Sequence, residues 1–156
     1  MIKNNDELIT FLQSNMDGLV TNIVNQRERR VFAETSKENL LKTVEKLKES
    51  GINYLGTITG LDNGGRFEVI YHLYNENGLM LNLKTFTPRE NPKMPSITGI
   101  FAGAFLYERE LMDLLGIEVE GNPFKRKYPV PEDWPAGQYP LRKDWKGLPS
   151  REEVNQ

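Results

Sequence analysis

Five prolines, Pro123, Pro129, Pro131, Pro135 and Pro140, fall within 18 residues late in this chain. Each removes a backbone N–H donor and holds φ near about −65°, so no helix or central strand survives that spacing. The last third is therefore predicted to be extended. Yet it carries both tryptophans, Trp134 and Trp145, together with Tyr128 and Tyr139. An extended segment with that much aromatic anchoring is built to lie on another surface. The chain thus divides into a folded part, residues 1–116, and an extended, proline-rich, partner-binding C-terminal tail, residues 117–156.

The folded part reads as α+β. Asp6–Met16 carries Leu8, Ile9 and Leu12 on a helical stripe. Leu19–Asn25 and Arg30–Ala33 are predicted strands around a polar turn. Thr35 and Glu38 have the spacing of a capping box, and the helix they open carries Leu40, Leu41, Val44 and Leu47 before Gly51 stops it. Asn53–Thr59, Arg66–Tyr74 and Leu79–Phe86 are rich in β-branched and aromatic residues. Asp62-Asn-Gly-Gly65 and Asn75-Glu-Asn-Gly78 separate them and supply the positive-φ residues of hairpin turns. Phe67, Val69, Tyr71 and Leu73 alternate with a second face that is only partly polar, which predicts a partial cover for that face. Ser96 or Thr98 is placed to cap a further helix near 100–115, closed by Gly116. The expected architecture is an antiparallel or mixed meander sheet covered by helices.

At 156 residues, one domain can bury roughly 70% of its extended-chain surface and needs no covalent staple. The absence of cysteine removes thiolate-ligated iron–sulfur clusters, zinc fingers and redox dithiols. A formal charge of −2 does not by itself call for a polyanion. No apolar run approaches the roughly 20 residues that cross a bilayer, so membrane association is expected only through partners.

Few residues could carry chemistry. His72 is the only histidine, set mid-strand, and reads as a packed strand residue rather than a ligand. No phosphate-cradling glycine motif and no nucleophile elbow occurs. No cofactor is therefore expected. Glu108, Arg109, Glu110 and Asp113 cluster on the last helix. Arg109 and Asp113 are four apart and can pair along one face. Adjacent carboxylates beside an arginine fit an ion-pair network or interface better than an acid–base pair, which needs two different environments. A free-standing carboxylate enzyme using Glu108 and Glu110 is the alternative from another class. In the tail, Lys125, Arg126, Lys127, Arg142, Lys143 and Lys146 accompany the aromatics. Tryptophan, tyrosine and arginine anchor protein interfaces, so an interface is favoured over intramolecular packing, and both over single-stranded nucleic acid.

From Arg66 to Trp145 the order of motifs resembles the small hydrophilic subunit of respiratory complex I (NADH dehydrogenase) and its hydrogenase relatives. The matching pieces are Arg66–Leu73, Pro95–Thr98, Tyr107-Glu-Arg-Glu110 with Asp113 and Gly116-Ile117, Gly121-Asn-Pro123, Pro131-Glu-Asp-Trp134 and Pro140-Leu-Arg-Lys-Asp144. The resemblance implies a cofactor-free, non-catalytic subunit of the peripheral arm, on the cytoplasmic side of the membrane. It implies packing against a large hydrogenase-like subunit and near a small iron–sulfur subunit. Glu108, Arg109, Glu110, Asp113, Arg142, Lys143 and Asp144 match its signature positions and, with Trp134 and Trp145, are the expected partner-binding residues. The usual complex I pattern has Asn-Trp where Phe105-Leu106 stands here, and Gly-His-Pro where Gly121-Asn122-Pro123 stands. These departures are more similar to the energy-converting, membrane-bound nickel–iron hydrogenase branch than to an NADH or deazaflavin:quinone dehydrogenase.

Overall fold

The computed structural model of the chain describes residues 2–148. In chain order the elements are α1 (Asn5–Asn15), β1 (Thr21–Arg27), β2 (Arg30–Glu34), α2 (Leu40–Glu49), β3 (Tyr54–Asp62), β4 (Arg66–Tyr74), β5 (Met80–Pro88) and β6 (Lys93–Pro95), then α3 (Ala104–Glu110), a π turn (Leu111–Leu115) and β7 (Glu118–Glu120). The predicted hairpins form where the turn chemistry put them. Gly64 and Gly78 adopt φ of 86° and 72°, which suits glycine because it has no Cβ to clash. Asp62 Oδ1 accepts from Gly64 N at 2.8 Å, and Asn75 Oδ1 accepts from Asn77 N and Leu79 N. Each turn is thus closed by its first side chain.

These turns make β3, β4 and β5 an antiparallel meander. The β1–β2 hairpin joins it through a parallel pairing of β2 with β5, from Arg30 opposite Met80 to Glu34 opposite Lys84. The mixed sheet runs β1-β2-β5-β4-β3, and β6 and β7 form a separate parallel pair. Alternation places Phe67, Val69, Tyr71 and Leu73 in the core, with Leu8 and Leu12 of α1, Val44 and Leu47 of α2, and Leu111 and Leu115 of the π turn. Leu41, expected on the buried stripe of α2, is exposed.

On the other face, the Lys84 ammonium lies 5.3 Å from the Phe32 ring centroid and the Arg66 guanidinium 3.7 Å from that of Phe86. Cations with aliphatic stems therefore roof the apolar residues for which the sequence demanded a cover. His72 is a packed strand residue. Its Nδ1 lies 2.6 Å from Asn82 Oδ1, which can only accept, so Nδ1 carries the proton. Nε2 then accepts from the Thr59 hydroxyl at 2.9 Å.

Two helix starts differ from expectation. The Thr35 hydroxyl donates to Leu19 O at 2.8 Å and meets the Thr43 hydroxyl, whereas Ser36 Oγ accepts from Asn39 N. The cap lies one residue later than the capping-box reading because Thr35 is drawn into the core. Neither Ser96 nor Thr98 caps α3, which begins at Ala104. Gly116 ends the π turn at φ 71°, as predicted. Among the described residues no helix is long and apolar enough to cross a membrane.

Candidate partner-binding surface

The local chemistry of the α3–π segment begins with Gly60. A Cβ there would lie 2.5 Å from Leu115 Cδ1 and 2.6 Å from Leu111 Cδ2. Only a bare backbone lets the π turn lie this close on β3. That approach points Glu108 inward, where it is completely buried. Its Oε1 accepts from Ile97 N at 2.7 Å, and Oε2 accepts from the Ser96 hydroxyl at 2.7 Å and Asn122 Nδ2 at 2.9 Å. Burial pushes the Glu108 carboxyl above its ordinary pKa, with the three hydrogen bonds opposing. Burial, then the neighbouring Glu108 charge, push the Tyr71 phenol up in turn. Glu108 therefore ties β6, α3 and the Gly121–Pro123 turn together. This departs from its expected place at a partner interface: every oxygen bond it makes is internal.

The other motif charges act alongside. Arg109 Nη2 donates to Asp113 Oδ1 at 2.5 Å and Nε donates to Oδ2 at 3.2 Å, the fork expected from their spacing. Asp113 Oδ2 also accepts from Tyr128 N at 2.6 Å. Glu110 is half-buried and makes no ion pair among the described residues.

Residues 117–148 follow α3 from its start to its end. Phe124 packs on Phe105, ring centroids 5.6 Å apart, and the tail then crosses Asp113. At the helix end Leu141 N donates to Leu114 O at 3.0 Å and Arg142 Nε donates to Leu115 O at 2.6 Å. These are carbonyls that a helix end leaves without partners, and a guanidinium suits the negative end of the helix dipole. Arg142 also lies 4.4 Å from the Tyr139 ring centroid and 5.2 Å from that of Phe67. It meets neither Glu108 nor Glu110, the acids on the same helix.

The acid that does meet the tail carries no signal in the sequence beyond its place in a turn. Asp62 has a side chain 1% exposed, and its Oδ2 accepts from Arg89 Nη1 at 2.5 Å and from Lys143 N at 2.9 Å. Arg89 Nη2 donates to Asp144 Oδ1 at 2.5 Å. Burial raises the Asp62 carboxyl, but the Arg89 hydrogen bond, the Lys143 and Gly64 backbone donors and the Arg89 charge outweigh it, leaving a pKa of about 2. Arg89 in turn holds Asp144 below the usual carboxylate range. Trp134 Nε1 donates to Gln138 O and Trp145 Nε1 to Gln138 Oε1, with the indoles 6.4 Å apart. Gln138 thus pairs the tryptophans from between, and the Lys127 ammonium donates to Trp134 O. A groove of about 420 Å³ runs between Arg109, Met112 and Ile117 and the Val130–Tyr139 stretch. Outward, the tail presents Tyr128, Leu141, Lys143 and Leu148. Residues 149–156 of the expected tail lie outside the described residues.

The family described as respiratory-chain NADH dehydrogenase, 30 Kd subunit, matches residues 33–151. A subunit of the NADH-quinone oxidoreductase of Roseiflexus sp. (strain RS-1) is 41% identical over 100 residues, 62% of this chain; the match spans 56% of that relative's length. A membrane-bound hydrogenase subunit beta of Pyrococcus furiosus is 35% identical over 130 residues, covering 79% of this chain and 73% of that one. A chain in the structure of the membrane-bound sulfane sulfur reductase (MBS), an archaeal respiratory membrane complex, superimposes with a TM-score of 0.80 at 29% identity, covering 92% of this chain and 86% of that one.

Proposed function

Because this chain belongs to the family of the respiratory-chain NADH dehydrogenase 30 Kd subunit, we propose that it is a non-catalytic peripheral-arm subunit of a complex I-like membrane-bound oxidoreductase. It scaffolds a large hydrogenase-like subunit and a small iron–sulfur subunit, and reaches the membrane only through them, on the cytoplasmic side. The observation that carries the scaffolding role is the use made of the signature charges. Glu108, Arg109, Asp113, Arg142 and Asp144 bind one another's segments or backbone and thereby shape one continuous outer surface. What that surface offers a partner is Tyr128, Leu141, Lys143 and the paired Trp134 and Trp145, the residue types that anchor interfaces. An acid–base enzyme built on Glu108 is disfavoured, because all three of its hydrogen bonds run to the chain's own donors.

Within the family we place the chain on the energy-converting nickel–iron hydrogenase side, with proton reduction at a metal site in the neighbouring large subunit. The similarity to the hydrogenase subunit beta, which covers most of both chains, supports this. An NADH or deazaflavin:quinone dehydrogenase is the rival, supported by the Roseiflexus relative. Affinity-tagged chain recovered from native membranes tests both readings. Co-purification with the two subunits and hydrogen production from a low-potential donor is the expected result. Quinone reduction by the same preparation would favour the rival, and recovery of the chain alone, or turnover by it alone, would overturn the scaffold role.

A further inference from the structure

Proline-rich tails that meet partners are ordinarily taken to order on binding, and the sequence predicts a tail that is mobile until assembly. The geometry argues otherwise. The tail is tied to the body at four points that are far apart in sequence: Asn122 on Glu108, Tyr128 on Asp113, Leu141 and Arg142 on the last carbonyls of the π turn, and Lys143 with Asp144 on the Asp62–Arg89 pair. The last of these differs from the rest. Asp62 is a buried anion fixed at the β3–β4 turn, Arg89 follows β5 with its side chain 20% exposed, and Asp144 is 70% exposed. One guanidinium therefore bridges a carboxylate inside the body and a carboxylate on the tail. Asp62 reaches the tail a second time through the Lys143 backbone.

We infer that Arg89 is a latch that closes residues 139–146 onto the body in the free chain, so that the partner meets a preformed surface. This rests on the reading of the tail as partner-binding and adds the order of events: closure first, docking second. A preformed surface lowers the ordering cost that a mobile tail would bring to association. The outer half of the latch is its weak half. Asp144 stands in water, where the pair is screened by salt, whereas the Asp62–Arg89 half is shielded. High salt therefore loosens the tail without disturbing the body.

Hydrogen exchange on the full-length free chain, resolved at the Leu141 and Lys143 amides, tests this. In the wild type both should exchange at least about tenfold more slowly than in an unstructured peptide, as amides closed by a local opening step do. Arg89→Gln should remove that protection at Lys143 and reduce it at Leu141, with the β4 amides unchanged. Salt near 1 M should mimic the substitution in the wild type and add nothing in the variant, because the Debye length falls to about 3 Å. Should Arg89→Gln unfold the chain, Asp144→Asn, at an exposed side chain, reads the outer half alone with the same amides. Unstructured-peptide rates in the wild type, or full protection retained in both variants, would overturn the latch. A latched tail whose substitutions leave the yield of intact complex unchanged would instead refute the partner-binding reading and keep the latch.

Discussion

Replacing Glu108 by alanine strikes the residue on which three segments converge, and its cost can be worked from the bonds. Of the three donors it satisfies, two have a second partner. The Ser96 hydroxyl lies 2.7 Å from Thr98 Oγ1, and Asn122 Nδ2 also donates to Phe105 O at 3.0 Å. Ile97 N has no such alternative and is left buried without an acceptor, at about 1–3 kcal/mol. Losing the packed methylenes of a fully buried side chain adds about 1–2 kcal/mol. Removing a buried charge, whose pKa burial has raised, gives part of this back. The net is about 3 kcal/mol, or a fall of about 10 °C in Tm for a chain of this size. Glu108→Gln keeps the shape and the acceptor for Ile97 N, but sets an amide donor against Asn122 Nδ2, and should cost about 1–2 kcal/mol. Urea unfolding at neutral pH, comparing midpoints at constant slope, measures both. A Glu108→Ala loss below about 1 kcal/mol, or a Gln variant weaker than the Ala variant, would refute the account and return Glu108 to the partner interface.

Asp62, with a folded pKa of about 2 against about 4 unfolded, contributes about 2 kcal/mol that is present above pH 4 and lost as pH falls towards 2. Asp62→Asn should flatten that stretch of the pH–stability curve, measured by urea midpoints at successive pH values. Gly116→Ala places a Cβ 2.6 Å from Tyr139 and Arg142 at φ 71°, so it should lose about 2–4 kcal/mol. Gly137→Ala, at φ 75° with nothing within 4 Å, should lose only about 1 kcal/mol, and equal losses would show that the tail does not press on the helix end. Arg142→Ala should lower the yield of intact complex isolated by affinity tag, with partial rescue by Arg142→Lys, since lysine can reach one carbonyl but cannot copy the planar stack on Tyr139.

The parts of this fold that are legible in the sequence are those written over short spans. Asp62–Gly65 and Asn75–Gly78 announce their turns because positive φ and side-chain closure are local matters, and Gly116 announces a helix end for the same reason. The Arg109–Asp113 fork follows from spacing on one helix. The parallel seam between β2 and β5 joins residues that no local pattern connects. Thr35 misleads because a capping hydroxyl and a core hydroxyl look alike until its partners Leu19 and Thr43 are in place. Glu108 misleads for a similar reason: a carboxylate among charged neighbours suggests a wet surface, and its three donors come from Ser96, Ile97 and Asn122. Arg89 offers a weaker hint, as an arginine just past a strand end, but its two acids lie 27 and 55 positions away.

The β2–β5 seam also bears on how the chain is made. The β1–β2 hairpin is synthesised early, yet the strand that flanks β2 on its other side, Met80–Pro88, arrives only after α2 and two further strands have been laid down. During that interval the ladder edge of Arg30–Glu34 is open, and open edges invite pairing with other chains. The β3–β4–β5 meander, by contrast, closes through neighbouring strands and is the faster unit. The early hairpin therefore waits for a nucleus built downstream of it, and truncation before residue 80 leaves a strand with nothing to pair with. Ribosome-bound fragments ending on either side of β5 should thus differ sharply in their tendency to aggregate.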